Sequence, residues 1–316
     1  MEDYPRTLTE FDRRFATEAA CREYLFGLRW PDGFVCSRCR GRVAWVAQRG
    51  VWVCAGCGYQ ASITAGTIFQ DTRHPLALWF RAIWWVTSQK TGASALGLQR
   101  VLGLGSYETA WTWLHKLRRA MVRPGRDRLG GRVEVDETYW GGSGDGAHGR
   151  KRTPKKVLII VAAEEDGAGI GRIRMRRIPD ASADSVQPFI VEAVTPGSVV
   201  HTDGWEGYTG LVARGYPHEI SPLRRRPGAA VALLPRVHRV VALLKRWLLG
   251  THQGAVSAAH LDSYLDEFTF RFNRRTSRSR GKLFYRLLQH AVTVDPVPYK
   301  AMVAHARGPK PRDRKI

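Results

Sequence analysis

Hydrophobic positions along the chain change their period. Between Pro75 and Met121, Leu76, Trp79, Phe80, Ile83, Trp84 and Thr87 recur at three- and four-residue intervals, the repeat of a helix with one buried face. Ser94 is placed to cap a short helix running to Leu102. Gly103-Leu104-Gly105-Ser106 reads as a turn, and Tyr107 to Met121 as a further helix with Ser106 at its N-cap. Two short helices around a glycine-containing turn, the second amphipathic and basic, suit a helix-turn-helix or a plain helical bundle.

After a basic, glycine-rich linker from Arg123 to Gly131, the pattern turns to the texture of strands and helices. Strands are predicted over Arg132 to Tyr139, Lys156 to Ala163 and Ile170 to Ile178. A helix follows over Ala183 to Val194, a strand over Ser198 to Asp203, and helices over Arg236 to Leu249 and Ala258 to Phe272. Three strands in meander, then helix, strand and helices, predict an α/β domain with a mixed sheet. The expected division is an N-terminal segment over 1–70, a helical region over 71–125, the α/β domain over 126–290 and a basic, disordered tail over 291–316.

Four of the five cysteines form the pattern C-x2-C-x14-C-x2-C: Cys36 with Cys39, and Cys54 with Cys57. Each pair can aim two thiolates at one ion, and together they complete a tetrahedral Zn²⁺ shell. Between them, Val43-Ala44-Trp45-Val46 and Val51-Trp52-Val53 are strand-like, separated by Gln48-Arg49-Gly50. This predicts a zinc ribbon over residues 30–66. Cys21 lies outside the pattern and reads as a small buried hydrophobe.

Charge narrows the partner. Across 316 residues, Lys and Arg number 50 against 28 Asp and Glu, a formal net charge of +22. That excess disfavours an enzyme of small neutral metabolites and points to a polyanion. With 44% hydrophobic residues and 11 Trp, the chain is not a disordered basic tail. Its longest central apolar run, Val157 to Ala163, is far short of the roughly 20 residues a spanning helix needs. The charged start MEDYPRTLTEFDRRF carries no apolar stretch of a secretory signal. A reducing, cytoplasmic compartment and a nucleic-acid partner are the expectation. In the Tyr107 to Met121 helix, Thr109, Thr112, His115, Lys116, Arg118 and Arg119 are the residues offered to DNA, with Thr112, His115, Lys116 and Arg119 foremost. Arg150-Lys151-Arg152, Lys155-Lys156, Arg224-Arg225-Arg226 and the tail would hold phosphates without sequence choice.

Two carboxylates stand out against this basic background. Asp136 lies inside the apolar-alternating strand Val133 to Tyr139, and Asp203 ends the strand Ser198 to Asp203, just before Gly204. Taken singly, each could be a solvated strand residue or a turn cap. On neighbouring strands they would form an oxygen-rich pocket suited to Mg²⁺ or Mn²⁺.

The run from Val133 to Gly142, VEVDETYWGG, resembles the first catalytic segment of bacterial insertion-sequence transposases of the ISXO type, a group of the DDE superfamily with an N-terminal zinc ribbon. His201 to Tyr208, HTDGWEGY, resembles the second segment. Leu243 to His252 and Leu261 to Arg275 resemble the C-terminal one. The likeness runs over roughly residues 15 to 280.

The resemblance implies a ribonuclease-H-like catalytic domain in which Asp136, Asp203 and a third residue on a later helix hold two divalent metals. Many relatives carry Asn or Glu seven residues before the Lys-Arg pair, here Lys245-Arg246. This chain has His238 there, 35 residues after Asp203, and the third place is assigned to it. Imidazole ligates when neutral, while Mg²⁺ prefers oxygen. Direct ligation, ligation through water, a proton shuttle and a phosphate contact are therefore all open to His238. Lys245 follows at i+7 on the same helical face and would meet a phosphate, with Arg246 beside it as a DNA contact. Glu137, Glu206 and Glu267 are alternative acids; Glu137 should face away from Asp136, and Glu267 is the first substitute for His238.

The implied activity is metal-dependent cleavage at the ends of a mobile element, then attack of the freed 3′-OH on target DNA, by in-line displacement without a covalent enzyme intermediate. The implied partners are the element's terminal inverted repeats, the target DNA and further copies of the chain in a dimer or larger assembly. A non-catalytic DNA-binding derivative and a ribonuclease-H-like nuclease are the alternative readings.

Overall fold

Two threonines start the first helices. The Thr7 hydroxyl accepts the Glu10 amide at 3.1 Å and begins α1 (Leu8–Arg14); the Thr17 hydroxyl accepts the Ala20 amide at 3.2 Å and begins α2 (Glu18–Arg29). Neither helix was among the expected elements. The computed structural model describes residues 2–48, 50–123, 125–141, 156–221 and 233–304. Its chain forms two units, Met1–Arg123 with Ser277–Ile316, and Pro124–Thr276.

In the first unit, β1 (Ala44–Val46), β2 (Trp52–Cys54) and β3 (Gln60–Ala61) form an antiparallel sheet in that order. The third strand was not expected, because two residues are too few to show a period. Cys36, Cys54, Phe34 and Ala61 form a small core with Phe26, Trp30 and Trp52 packed against it.

The predicted helical region contains α3 (Leu76–Ser88), α4 (Ala95–Leu102) and α5 (Tyr107–Ala120). Both expected caps are present: Ser94 Oγ accepts the Gly97 amide at 3.0 Å, and Ser106 Oγ the Thr109 amide at 3.1 Å. Gly103 closes α4 at φ 62°, in the left-handed region that suits glycine. Trp79 stacks on Trp113 with ring centroids 3.8 Å apart, joining α3 to α5.

The helix Arg280–Ala291, counted at the sequence level within the α/β domain to residue 290, belongs to this first unit. Its buried Phe284 meets Phe11, Phe15, Phe80 and Trp84, so its apolar stripe completes an aromatic core. A Cβ on Gly281 would meet the Pro5 carbonyl oxygen at 1.6 Å, which ties this approach to glycine. Val292 is buried, and the short helix Tyr299–Ala304 buries Met302, so the expected disordered tail is structured at its start. Residues 305–316 lie outside the described residues.

The second unit is built on β4 (Arg132–Trp140), β5 (Val157–Asp166), β6 (Gly169–Ile178), β7 (Val199–Thr202) and β8 (His218–Ile220). The sheet order is β6-β5-β4-β7-β8; β4, β5 and β6 are antiparallel neighbours, while β7 runs parallel to β4 and β8 parallel to β7. This is the ribonuclease-H-like mixed sheet that was expected. The edge strand β8 was not, since three polar-flanked residues carry no strand signal.

Alternation on β4 and β5 supplies two cores. Val133, Val135, Leu158, Ile160 and Ala162 pack with Val186, Phe189 and Ile190 of α6 (Ala183–Ala193). Ile159, Val161 and Ala163 face α7 (Pro235–His252) and α8 (Leu261–Phe272) through Val240, Leu244, Leu265 and Phe268. Just after α8, Asn273 Oδ1 accepts the Ile173 amide at 2.7 Å and Asn273 Nδ2 donates to the Ile173 carbonyl at 3.1 Å, as a neighbouring strand would. That pair fixes α8 against β6.

Candidate active site

The alternation of β4 sorts its acids between the two sheet faces. Val133 and Val135 point toward α6, so Glu134 and Asp136 point toward α7. In the parallel pairing of β4 with β7, Glu134 stands opposite His201. The recorded pairing ends there, and Asp203 follows His201 by two residues as Asp136 follows Glu134. Asp203 sits just past the end of β7, where its Oδ1 accepts the Trp205 amide at 3.0 Å. Between them Gly204 has φ 79°, and a Cβ there would meet Ile220 Cγ2 at 2.4 Å, so glycine makes this turn possible.

His238 comes to the same place from α7. Its Nε2 lies 3.8 Å from Asp136 Oδ2, with side-chain exposures of 24% and 13%. That nitrogen is buried and makes no hydrogen bond. Burial pushes the imidazole below its ordinary pKa; Glu134 opposes this, and the Lys245 charge adds to it. The ring is thus neutral at neutral pH, with a lone pair available. Lys245 is itself part-buried and pushed down by burial; it follows His238 at i+7 in the same helix. Arg246 is exposed beside it.

The first turn of α7 is held by Glu134, a residue the sequence reading did not single out. Its fully buried carboxylate accepts the amides of Arg236 at 2.8 Å and Val237 at 2.9 Å, and pairs with the Arg236 guanidinium at 3.0 Å. Arg236 also reaches Glu165 at 3.0 Å. Arg132 pairs with Glu165 and Glu219, and bonds His201 Nδ1 at 2.9 Å. Glu134, Glu165 and His201 are close enough to share an ion. Two guanidinium groups already stand among them, and they neutralise the cluster as a metal would.

The alternative acids take other places. Glu137 points to the opposite face from Asp136, as alternation requires, and its Oε1 accepts the Tyr208 hydroxyl at 2.5 Å. Tyr208 is fully buried, and its phenol is pushed well up by burial, then by the charges of Glu137, Asp136 and Asp203. Glu206 is exposed at the start of the 3-10 turn Glu206–Tyr208. Glu267 is buried and pairs with Arg271 at 2.8 Å, on a helix that packs over β6. In the sheet order β6 is two strands from β4, roughly 10 Å away. Glu267 is held in an ion pair with Arg271 on the helix that covers β6.

The ribbon cysteines converge as their spacing predicts. Cys36 and Cys57 Sγ are 3.7 Å apart and Cys39 and Cys54 Sγ 3.5 Å, and all four sulfurs lie within 4.8 Å of one another. Sulfurs at Zn–S bond length on a tetrahedron are about 3.8 Å apart, so the cluster fits a structural zinc ion. Cys21 is buried outside it, and burial pushes its thiol up to about 12.

The expected DNA face of α5 is only partly exposed. Arg119 is exposed and Thr112 and Lys116 are half-buried, with burial pushing the Lys116 amine down. His115 is buried with its ring 4.0 Å from that of Trp111, and Arg118 is 1% exposed. These two belong to the packed side of α5, because positions 111, 115 and 118 follow the helical repeat that turns inward with Leu114. Of the basic stretches, Arg150-Lys151-Arg152, Lys155, Arg224-Arg225-Arg226 and the end of the chain lie outside the described residues; Lys156 is part-buried.

Comparison with known proteins gives a consistent result. Residues 128–273 match the family model of the ISXO2-like transposase domain, and residues 16–60 that of the transposase zinc-ribbon domain. A curated protein of Halobacterium salinarum, described as an uncharacterized protein in transposable element ISH50, is 25% identical over 85% of this chain and 95% of its own length.

Proposed function

This chain belongs to the ISXO2-like transposases of the IS1595 group, and we propose that it is an active DNA transposase whose reaction centre is Asp136, Asp203 and His238. The observation that carries the reading is His238 Nε2, buried without a hydrogen bond and 3.8 Å from Asp136 Oδ2. An orphaned neutral nitrogen is costly beside a carboxylate unless a cation completes the group.

Two carboxylates and an imidazole fit Mn²⁺ or Mg²⁺, with nitrogen favouring Mn²⁺. When bound, such ions activate the attacking oxygen and stabilise the leaving oxygen of a phosphodiester. Asp136 and Asp203 supply negative charge that a DNA phosphate alone would repel, so they fit a site meant for cations. His238, kept neutral by burial, leaves its lone pair free for ligation or for holding a proton. Lys245, on the same helical face, contacts a phosphate beside the site. No nucleophilic side chain is required, because water attacks first and the freed 3′-OH second.

Thr112, Lys116 and Arg119 of α5, with Arg246 of α7, contact DNA, namely the element's terminal inverted repeats and its target. The structural zinc ion of the ribbon holds an accessory DNA-binding module. Joining two ends calls for a dimer or larger assembly, formed on DNA in the cytoplasm. Among the described residues, no helix is long and apolar enough to cross a membrane.

The test is strand transfer by purified protein on DNA carrying its own terminal repeats, with Mg²⁺ or Mn²⁺. Asp136→Ala and Asp203→Ala should abolish cutting and joining while leaving DNA binding in place. Transfer by Asp136→Ala at the wild-type rate sinks the reading, and cutting without joining assigns the protein to nucleases instead.

A further inference from the structure

The first turn of α7 has no cap of its own. Leu234 stands at the N-cap and offers no side-chain acceptor, and Pro235 follows at the first helical position. The acceptor comes from β4, 102 residues away: both free amides, those of Arg236 and Val237, converge on Glu134 Oε2. Glu134 is fully buried, a condition a carboxylate tolerates only with partners on all sides. Here the partners are two helix amides, the positive end of the helix dipole and a guanidinium. Arg236 is held in turn by Glu165 and by the carbonyls of Gly167 at 2.9 Å and Gly169 at 3.0 Å.

What this clamp fixes is the start of α7 relative to β4. Two residues along the same face of the strand is Asp136, and one residue along the helix is His238. A slip of one residue at the helix start would rotate His238 by about 100° and carry it away from the carboxylate. We infer that Glu134 is a positioning residue, which sets His238 opposite Asp136 by capping the first turn of α7 from the neighbouring strand. The inference rests on the proposed role of His238.

The test compares full-length, zinc-loaded wild type with Glu134→Ala and Glu134→Gln. Amide hydrogen exchange reads the start of α7. The His238 ring signal, identified by its loss in His238→Asn, is read by NMR with no divalent ion added beyond the ribbon zinc. Mn²⁺ binding is measured by calorimetry. In Glu134→Ala, protection at 236 and 237 should fall at least about tenfold, the ring signal should move, and Mn²⁺ should bind about 10- to 100-fold more weakly. Glu134→Gln keeps an oxygen for both amides and should restore protection, ring signal and most of the affinity. An unmoved ring signal with full protection in Glu134→Ala overturns the inference. So does a displaced ring signal in Glu134→Gln while its amides remain protected, since charge rather than capping would then matter. Should wild-type protein bind Mn²⁺ no better than Asp136→Ala, the functional reading fails, while exchange and the ring signal still decide Glu134.

Discussion

His238 Nε2 faces Asp136 Oδ2 across 3.8 Å, and neither sequence distance nor local structure puts them together. The two meet because β4 carries Asp136 on the face that α7 covers. His238→Ala is expected to lower cleavage of element-end DNA about 100-fold or more, with the thermal midpoint nearly unchanged. His238→Glu should restore part of the activity and shift its preference from Mn²⁺ toward Mg²⁺, as oxygen replaces nitrogen. Equal rates for wild type, His238→Ala and His238→Glu would make the residue a bystander.

Tyr208→Phe tests the opposite face of the same strand. Removing the hydroxyl deprives Glu137 of its 2.5 Å donor in a site where burial is already complete for the ring. A charge-assisted bond of this type contributes about 1.5–3 kcal/mol, so the variant should melt several degrees lower by calorimetry. Glu137→Gln retains an acceptor for the hydroxyl and should lose less.

Removing zinc should unfold the ribbon locally. Its core contains Cys36 and Cys54 themselves, with Trp30 and Trp52 packed on them at 5.7 Å between ring centroids. Chelation, or Cys54→Ser, should red-shift ribbon tryptophan fluorescence and release about one equivalent of zinc. Cys21→Ser should release none. Cys21 lies buried outside the four-sulfur cluster, where its Sγ donates to the Phe15 carbonyl oxygen at 3.9 Å.

Glu164 gives the second unit an acid-sensitive bond. Burial alone would raise its pKa, but the Arg172 side chain and the Gly130 and Arg172 amides outweigh it, and the carboxyl is held near 2 against an ordinary 4.5. A depressed carboxyl contributes stability fully above its unfolded pKa and loses it as pH falls through the folded value. Stability should therefore decline between about pH 4.5 and 2, by an amount on the order of 1–2 kcal/mol after solvent screening. Urea unfolding of wild type and Glu164→Gln at pH 7 and pH 3 checks this: the gap between them should narrow at the lower pH.

Features whose cause is local were readable along the chain. The Ser94 and Ser106 caps, the Gly103 stop and the two C-x2-C turns depend on residues within a few positions of each other. The strand alternation also sent Glu137 and Asp136 to opposite faces. Glu134 was not readable as a cap, because its partners at Arg236 and Val237 lie 102 and 103 residues away. His115 and Arg118 carry polar labels in sequence, and their burial follows only from packing around Trp111 and Leu114.

The order of residues thus specifies this protein's four-cysteine cluster, the helix ends at Ser94, Gly103 and Ser106, and the strands β4 to β7, since spacing and period encode them. Which carboxylates pair with arginines and which face an imidazole is set by long-range register. Glu134, Glu164 and Glu267 are neutralised by Arg236, Arg172 and Arg271, while Asp136 meets an imidazole that burial keeps neutral. A charge has no fixed role until the fold chooses its neighbours, because Coulomb interaction and desolvation both depend on distances that sequence does not contain.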